Sequence, residues 1–259
     1  MHMVIVVKPY VLRFVSLESG KGKTSIATSV ITKLKLRGYL IAAIKHAVHG
    51  IDIDEKDTSR YINAGADIVI ASSNNLGAIY YSKWMDSLDH ILRFVNAPIV
   101  IVEGFRRCNI GDVIAVVDSH NEFNTLSRDV VGNIIAVIHT DNVSSEVSGL
   151  GVNVFNRDDV DGIVSFVESR ALKFLENQLP QNNCGLCGFE TCTMFVKFYA
   201  MGKVYSCPVS SDIRLVIDSK DIPLNPFVKN ILRSTINGFI DSLKGIPPQR
   251  RKILIEIEL

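Results

Sequence analysis

An excess of charge of one sign is nearly absent from this chain of 259 residues: 28 lysines and arginines face 27 aspartates and glutamates, a formal charge of +1. That balance argues against a broad nucleic-acid surface and a polybasic membrane anchor, and leaves room for a local basic pocket. Long apolar runs are absent too; none approaches the roughly 18 residues that a membrane-spanning helix needs. The opening MHMVIVVKPYVLRFVSL is apolar but broken by Lys8, Pro9 and Arg13. It has no basic leader and no small-residue cleavage site, so it is expected to form strands and not a signal peptide. The protein is expected to be soluble and cytoplasmic, with no membrane partner and no nucleic acid. Cysteine is scarce, but four of the five crowd into one short segment. Without an export signal, such crowding suggests metal ligands more than disulfides.

What is present is enough apolar residue, 47%, for a sizeable core. The length allows one large domain, or an ordinary domain with a small appendix. Strand-like runs at 11–17, 39–46, 67–72, 78–82, 98–105, 112–119 and 133–140 alternate with helix-like stretches at 24–38, 57–66, 84–95 and 158–176. Such alternation implies an α/β fold with a mostly parallel sheet and helices on both faces. The pattern stops at LPQNNCGLCGFETC, residues 179–192. Beyond it come a strand-like RLVID at 214–218, a helix around 225–243 and a strictly alternating KILIEIEL at 252–259.

The stretch LESGKGKT, residues 17–24, lies between the first strand and the first helix. It matches a phosphate-binding loop, G-x-x-x-x-G-K-[ST], except that Leu17 stands where the first glycine belongs. Such a loop works because its glycines let backbone N–H groups curl around an anion at a helix N-terminus. Ser19, Gly20, Lys21, Gly22, Lys23, Thr24 and Ser25 are the candidate nucleotide-binding residues. Lys23 would reach the terminal phosphates, Lys21 adds charge, and Thr24 would join the shell of a Mg²⁺ ion. The bland alternative is a lysine-rich turn that caps a helix. Glu18 stands where the signature-lysine ATPases carry a second lysine, which argues against that subclass.

Glu103 ends the strongest strand, in VEGF, at the sheet edge where open α/β folds bind ligands. A carboxylate there can hold Mg²⁺, or be merely solvated. KHAVHGIDIDEKD, residues 45–57, gathers Lys45, His46, His49, Asp52, Asp54 and Asp57. A histidine pair with carboxylates can bind a divalent metal. Taken alone, the stretch reads better as a solvated loop.

In combination these motifs become specific. ESGKGKT, IKHAVHGIDIDEKDTSRYINAGAD and IVEGF, in this order, resemble the MobB family of molybdopterin-guanine dinucleotide biosynthesis adapters. The match includes Lys45, His46, His49, Asp52, Asp54, Lys56, Asp57, Gly65 and Glu103. It departs from the family at Thr58, where serine is common, and lacks a Pro-Gly pair before Lys56. The resemblance covers roughly residues 11–170. It implies a P-loop NTPase-like fold and a GTP-binding homodimer with feeble hydrolysis. Its partner would be a MobA-like molybdopterin guanylyltransferase or a molybdoenzyme. It also implies phosphate contacts by residues 20–25, Mg²⁺ shared by Thr24 and Glu103, and site roles for His46, Asp52 and Asp57. Guanine selectivity comes only from the resemblance, since HTDN at 139–142 is a loose echo of the N-K-x-D guanine motif.

The remaining cysteines follow C-x2-C-x4-C-x14-C: Cys184, Cys187, Cys192 and Cys207. Four thiolates suit Zn²⁺ or an iron–sulfur cluster. A zinc ribbon usually brings two C-x2-C knuckles, and this chain has one. The CGxCGxxxC opening resembles a small [4Fe–4S] domain of some electron-transfer and one-carbon enzymes, with zinc and redox thiols as the other readings. Three segments are therefore expected: a nucleotide-binding domain at 1–178, an iron–sulfur module at 179–212 and a small α+β tail at 213–259. The cluster makes a nucleotide-gated maturation factor or electron donor for a metalloenzyme the alternative function. A small-molecule kinase is a third reading and would need an acceptor lid that the sequence does not display.

Overall fold

The computed structural model of the chain describes residues 7–47, 50–51, 56–139, 151–204, 207, 213, 215–218, 220–222, 226–245, 253, 255 and 257. The strands are β1 (Tyr10–Val15), β2 (Ile41–Lys45), β3 (Ile68–Ser72), β4 (Gly77–Tyr81), β5 (Ile99–Glu103), β6 (Asp112–Val117), β7 (Asn133–His139), β8 (Asn153–Asn156), β9 (Leu215–Ile217) and β10 (Lys220–Ile222). The helices are α1 (Lys23–Leu36), α2 (Lys56–Asn63), α3 (Leu88–Leu92), α4 (His120–Asp129), α5 (Val160–Glu176), α6 (Cys192–Ala200) and α7 (Pro226–Asp241).

Six strands form the main sheet in the order β2-β5-β1-β6-β7-β8, and every pair is parallel. β1 is the centre, with Tyr10 to Phe14 paired to β5 and Leu12 to Val15 paired to β6. The loop after β1 therefore opens into the crevice at the carboxyl edge, where such folds bind ligands. The parallel α/β architecture is as the alternation predicts.

β1 is buried along its whole length. Tyr10, Leu12 and Phe14 face one core with Ile26, Val30 and Leu34 of α1 and Ile163, Val164 and Val167 of α5. The helical spacing of Ile26, Val30 and Leu34 puts all three on one stripe, each worth roughly 1.5–3 kcal/mol when buried. α6 adds Phe195, Val196 and Tyr199 to the same core. The opposite face holds two smaller clusters, one around Val15, Phe123 and Leu126, the other around Val11, Leu88 and Val102. Arg13, between Val11 and Val15 in the alternation, is fully buried there. Its guanidinium donates to the carbonyls of Phe105 and Val131, each at 2.7 Å.

Some elements differ from the expected ones. β3 and β4 leave the parallel order and form a separate antiparallel hairpin. The helix expected at 84–95 shrinks to α3, five residues capped by Ser87. α4 and β8 were not legible as elements. β9 pairs with β10 as a two-stranded antiparallel ribbon. The closing strand expected at 252–259 lies mostly outside the described residues. Among the described residues, no helix is long and apolar enough to cross a membrane.

Candidate functional site

The chain leaves β1 through Ser16 and enters α1 at Lys23. Gly20 and Gly22 take φ of +78° and +76°, a left-handed conformation that side chains resist. Gly22 is the N-cap of α1 and offers no side chain to the first turn, which also contains no acidic residue. By contrast α3, α4, α5 and α6 are capped by Ser87, Ser119, Asp159 and Thr191. The first-turn N–H groups of α1 are thus left for an anion, and the helix dipole favours one.

Lys23 folds back along the loop and donates to the Ser16 hydroxyl and, at 2.8 Å, to the Glu18 carbonyl. Burial lowers its pKa from the usual lysine value, opposed by Glu103 and reinforced by the positive charges of Lys45 and Arg106. Thr24 donates its hydroxyl to Glu103, 2.9 Å from Oε1 and 2.8 Å from Oε2. Lys45, at the end of β2, lies 3.8 Å from the same carboxylate. Hydroxyl and carboxylate oxygens side by side, next to the phosphate lysine, fit the hard-donor preference of Mg²⁺. Thr24 and Glu103 would hold that ion, which would supply positive charge to neutralise bound phosphates.

These groups line a cavity of about 1180 Å³ together with Ser19, Gly20, Ser25, His46, Asp86 and Arg106. His46 is fixed on its wall: its Nε2 lies 2.9 Å from Asp86 Oδ2, and its ring stacks on Phe105 at 4.2 Å. Lys21 turns the other way. Its ammonium meets Asp118 at 3.0 Å and Glu122 at 3.5 Å, and these pairings raise its pKa. Asp57 sits exposed in the first turn of α2, paired with Arg60 at 2.9 Å, outside the lining of this cavity. Asp52, His49, Asp54 and the HTDN residues 140–142 lie outside the described residues. Asp86 and Arg106 carry no motif of their own. Arg106 directly follows VEGF, and that adjacency is the one signal that could have found it.

The four cysteines are not gathered as their spacing predicts. Cys184 is exposed, Cys187 half-buried, and Cys192 and Cys207 buried. Cys192 opens α6 and is drawn into the core with Phe195 and Tyr199, while Cys184 stays in the preceding loop. Among the described residues no three His, Cys, Asp or Glu side chains are gathered to hold a metal ion. The expected four-sulfur centre is therefore not assembled in this geometry.

A parallel sheet whose central strand delivers a glycine-bearing loop into a helix, with lysine, hydroxyl and carboxylate meeting there, defines a P-loop nucleotide-binding α/β protein. Comparison narrows the class. Residues 11–140 match the family model MobB, described as molybdopterin guanine dinucleotide synthesis protein B, and the chain belongs to this family.

A Methanocaldococcus jannaschii protein, provisionally named a molybdopterin-guanine dinucleotide biosynthesis adapter protein, is 29% identical over 248 residues. That match covers 91% of this chain and 93% of the relative, so it runs well past residue 140. The Escherichia coli molybdopterin-guanine dinucleotide biosynthesis adapter protein is 28% identical over 163 residues, 58% of this chain and 86% of its own. The crystal structure of Bacillus subtilis MobB superposes with a TM-score of 0.52 at 21% identity, covering 62% of this chain and 97% of that one. A MobB homologue from Bacillus stearothermophilus gives 0.50 at 19%, covering 63% and 98%. At these identities the structures speak for the fold.

Proposed function

We propose that this chain is an accessory protein of molybdopterin-guanine dinucleotide biosynthesis that binds GTP with Mg²⁺ at residues 19–25. The observation that carries the reading is the meeting of Lys23, Thr24 and Glu103 at the uncapped N-terminus of α1. Backbone N–H groups would surround the phosphates, Lys23 would neutralise the terminal ones, and Thr24 with Glu103 would hold the metal. His46 is a site residue on the same cavity wall. The preference for guanine and the feeble hydrolysis follow from the family resemblance.

The test is calorimetric titration with GTP and ATP in the presence of Mg²⁺. GTP binds more tightly, and Lys23→Ala abolishes binding. Equal or stronger ATP binding removes the guanine part of the proposal.

The protein acts as a homodimer with a MobA-like guanylyltransferase or a molybdoenzyme as its partner. The hairpin of β3 and β4 supports the dimer. One of its faces carries Val69 inward, and the other presents Ile68, Ile70, Ile79 and Tyr81, all exposed. A second copy of the chain covers this face.

A [4Fe–4S] centre on Cys184, Cys187, Cys192 and Cys207 is supported by the cysteine spacing alone, since these side chains are not gathered in the structure. No step of the proposed function runs through it. Iron and sulfide near four each per chain, in protein purified without oxygen, support the centre and reopen the reading as a nucleotide-gated maturation factor or electron donor. Stoichiometric zinc, or no metal, removes both.

A further inference from the structure

A phosphate loop binds anions only while its N–H groups point inward, so its carbonyls need other partners; Lys23 serves that of Glu18, and those at the two ends need partners from elsewhere. Here two arginines from outside the loop supply them. Arg106, just past β5, donates Nη1 to the Leu17 carbonyl at 3.1 Å and to the Ser16 carbonyl at 3.4 Å. Its Nε is held by Asp129 at 2.6 Å. Arg157, just past β8, donates Nη2 to the Lys21 carbonyl at 2.7 Å. Its guanidinium lies against Gly22 so closely that a Cβ there would sit 3.2 Å from Cζ. Asp118 stands between the two cations of this end, 3.0 Å from the Lys21 ammonium and 3.6 Å from Arg157.

We propose that Arg106 and Arg157 are positioning residues for nucleotide binding, holding the phosphate loop by its carbonyls, Arg106 from the cavity wall and Arg157 from outside the cavity lining. The proposal rests on the nucleotide-binding reading above and names how this chain keeps its loop in shape. Arg106 acts at the end where Leu17 replaces the strand-closing glycine. Arg157 acts at the other end, on the peptide whose N–H belongs to Gly22. A charged donor on a carbonyl polarises the peptide and strengthens its N–H as a donor. It also fixes the loop before the ligand arrives, which lowers the ordering cost of binding. Gly22 is then required for two reasons: its left-handed backbone, and the space that the Arg157 guanidinium fills.

The experiment measures binding of Mg–GTP and of Mg–tripolyphosphate, which has phosphates and no nucleoside, to the full chain and its Arg157→Ala, Arg157→Lys and Arg106→Ala variants. Loss of one charge-assisted bond weakens both ligands alike, by about ten- to a hundredfold. Millimolar guanidinium, well below denaturing levels, restores part of the affinity of Arg157→Ala, and Arg157→Lys falls in between. Unchanged binding in Arg157→Ala and Arg106→Ala overturns the proposal. So does a loss confined to GTP, because it would make Arg157 a nucleoside contact. If alanine unfolds the chain, Arg157→Lys with its guanidinium dependence still decides. A wild-type protein that binds neither ligand sinks the nucleotide reading itself, a result distinct from an unchanged variant.

Discussion

Thr24 and Glu103 are 79 residues apart in the chain, yet the threonine hydroxyl lies within 2.9 Å of both oxygens of the carboxylate. β1 and β5 are neighbours in parallel register, with Phe14 opposite Glu103, so the pair is set by the sheet and not by a flexible loop. Glu103→Gln keeps the shape and removes the charge. Its affinity for Mg–nucleotide falls at least about tenfold, on the scale of a lost charged contact. Affinity measured with chelator changes little. Parallel titrations with Mg²⁺ and with chelator check this; equal losses in both would assign Glu103 to the fold and not to the metal.

Lys23 gives a pH prediction. Burial holds its pKa below the usual lysine value in the empty site. A bound phosphate favours the charged form and raises the pKa again, so binding takes up a proton between the two values. Affinity is therefore full below the empty-site pKa and falls as pH rises through it, earlier than an exposed lysine would allow. Binding measured from pH 7 to pH 10 shows the decline, and the Lys23→Arg variant, whose charge does not titrate there, lacks it.

The turn into β6 gives a stability prediction. Gly111 has φ of +77°, and a Cβ added there would lie 2.3 Å from the Val11 carbonyl oxygen, a backbone atom of the central strand. Gly111→Ala meets both the left-handed penalty, about 1–2 kcal/mol, and that overlap. Gly65→Ala, at φ +96° with no atom within 4 Å, meets only the first. Thermal unfolding is expected to place Gly111→Ala well below Gly65→Ala, and comparable melting temperatures would contradict the packing described.

The hairpin gives a prediction about assembly. Ile70 and Ile79 are direct cross-strand partners and both exposed, at 68% and 58%. Ile70→Asp with Ile79→Asp places two like charges on an apolar face and leaves the packed side of the hairpin untouched. Light scattering should find the wild type as a dimer and this variant as a monomer with unchanged nucleotide affinity. A variant that remains dimeric moves the interface elsewhere.

The strong strands and long helices were legible because burial on both faces writes continuous apolar runs, as in Ile99 to Glu103. Helix α5 was legible to within two residues, with Asp159 as its cap. Helix α4 was missed although Ser119 and Glu122 carry the spacing of a capping box; the Ser119 hydroxyl accepts from the Glu122 N–H at 3.1 Å. Its apolar stripe is too thin to register, since only Phe123 and Leu126 are buried. The loop residues and Glu103 could be named from spacing because each sits at the end of a strand. Asp86, Arg106 and Arg157 could not, because their roles come from contacts across 40, 89 and 136 residues.

Arg13 looked like an interruption of a strand. Buried between Val11 and Val15, it divides one side of the sheet into two compartments that share no side chain. Damage in one compartment should therefore stay there. Leu88→Ala and Leu126→Ala, each a large core truncation, are expected to have additive effects on unfolding free energy to within about 0.5 kcal/mol. Replacing Arg13 by methionine would merge the compartments and let the two truncations interact, so a single charged side chain acts as a bulkhead between the two clusters on this face of the sheet.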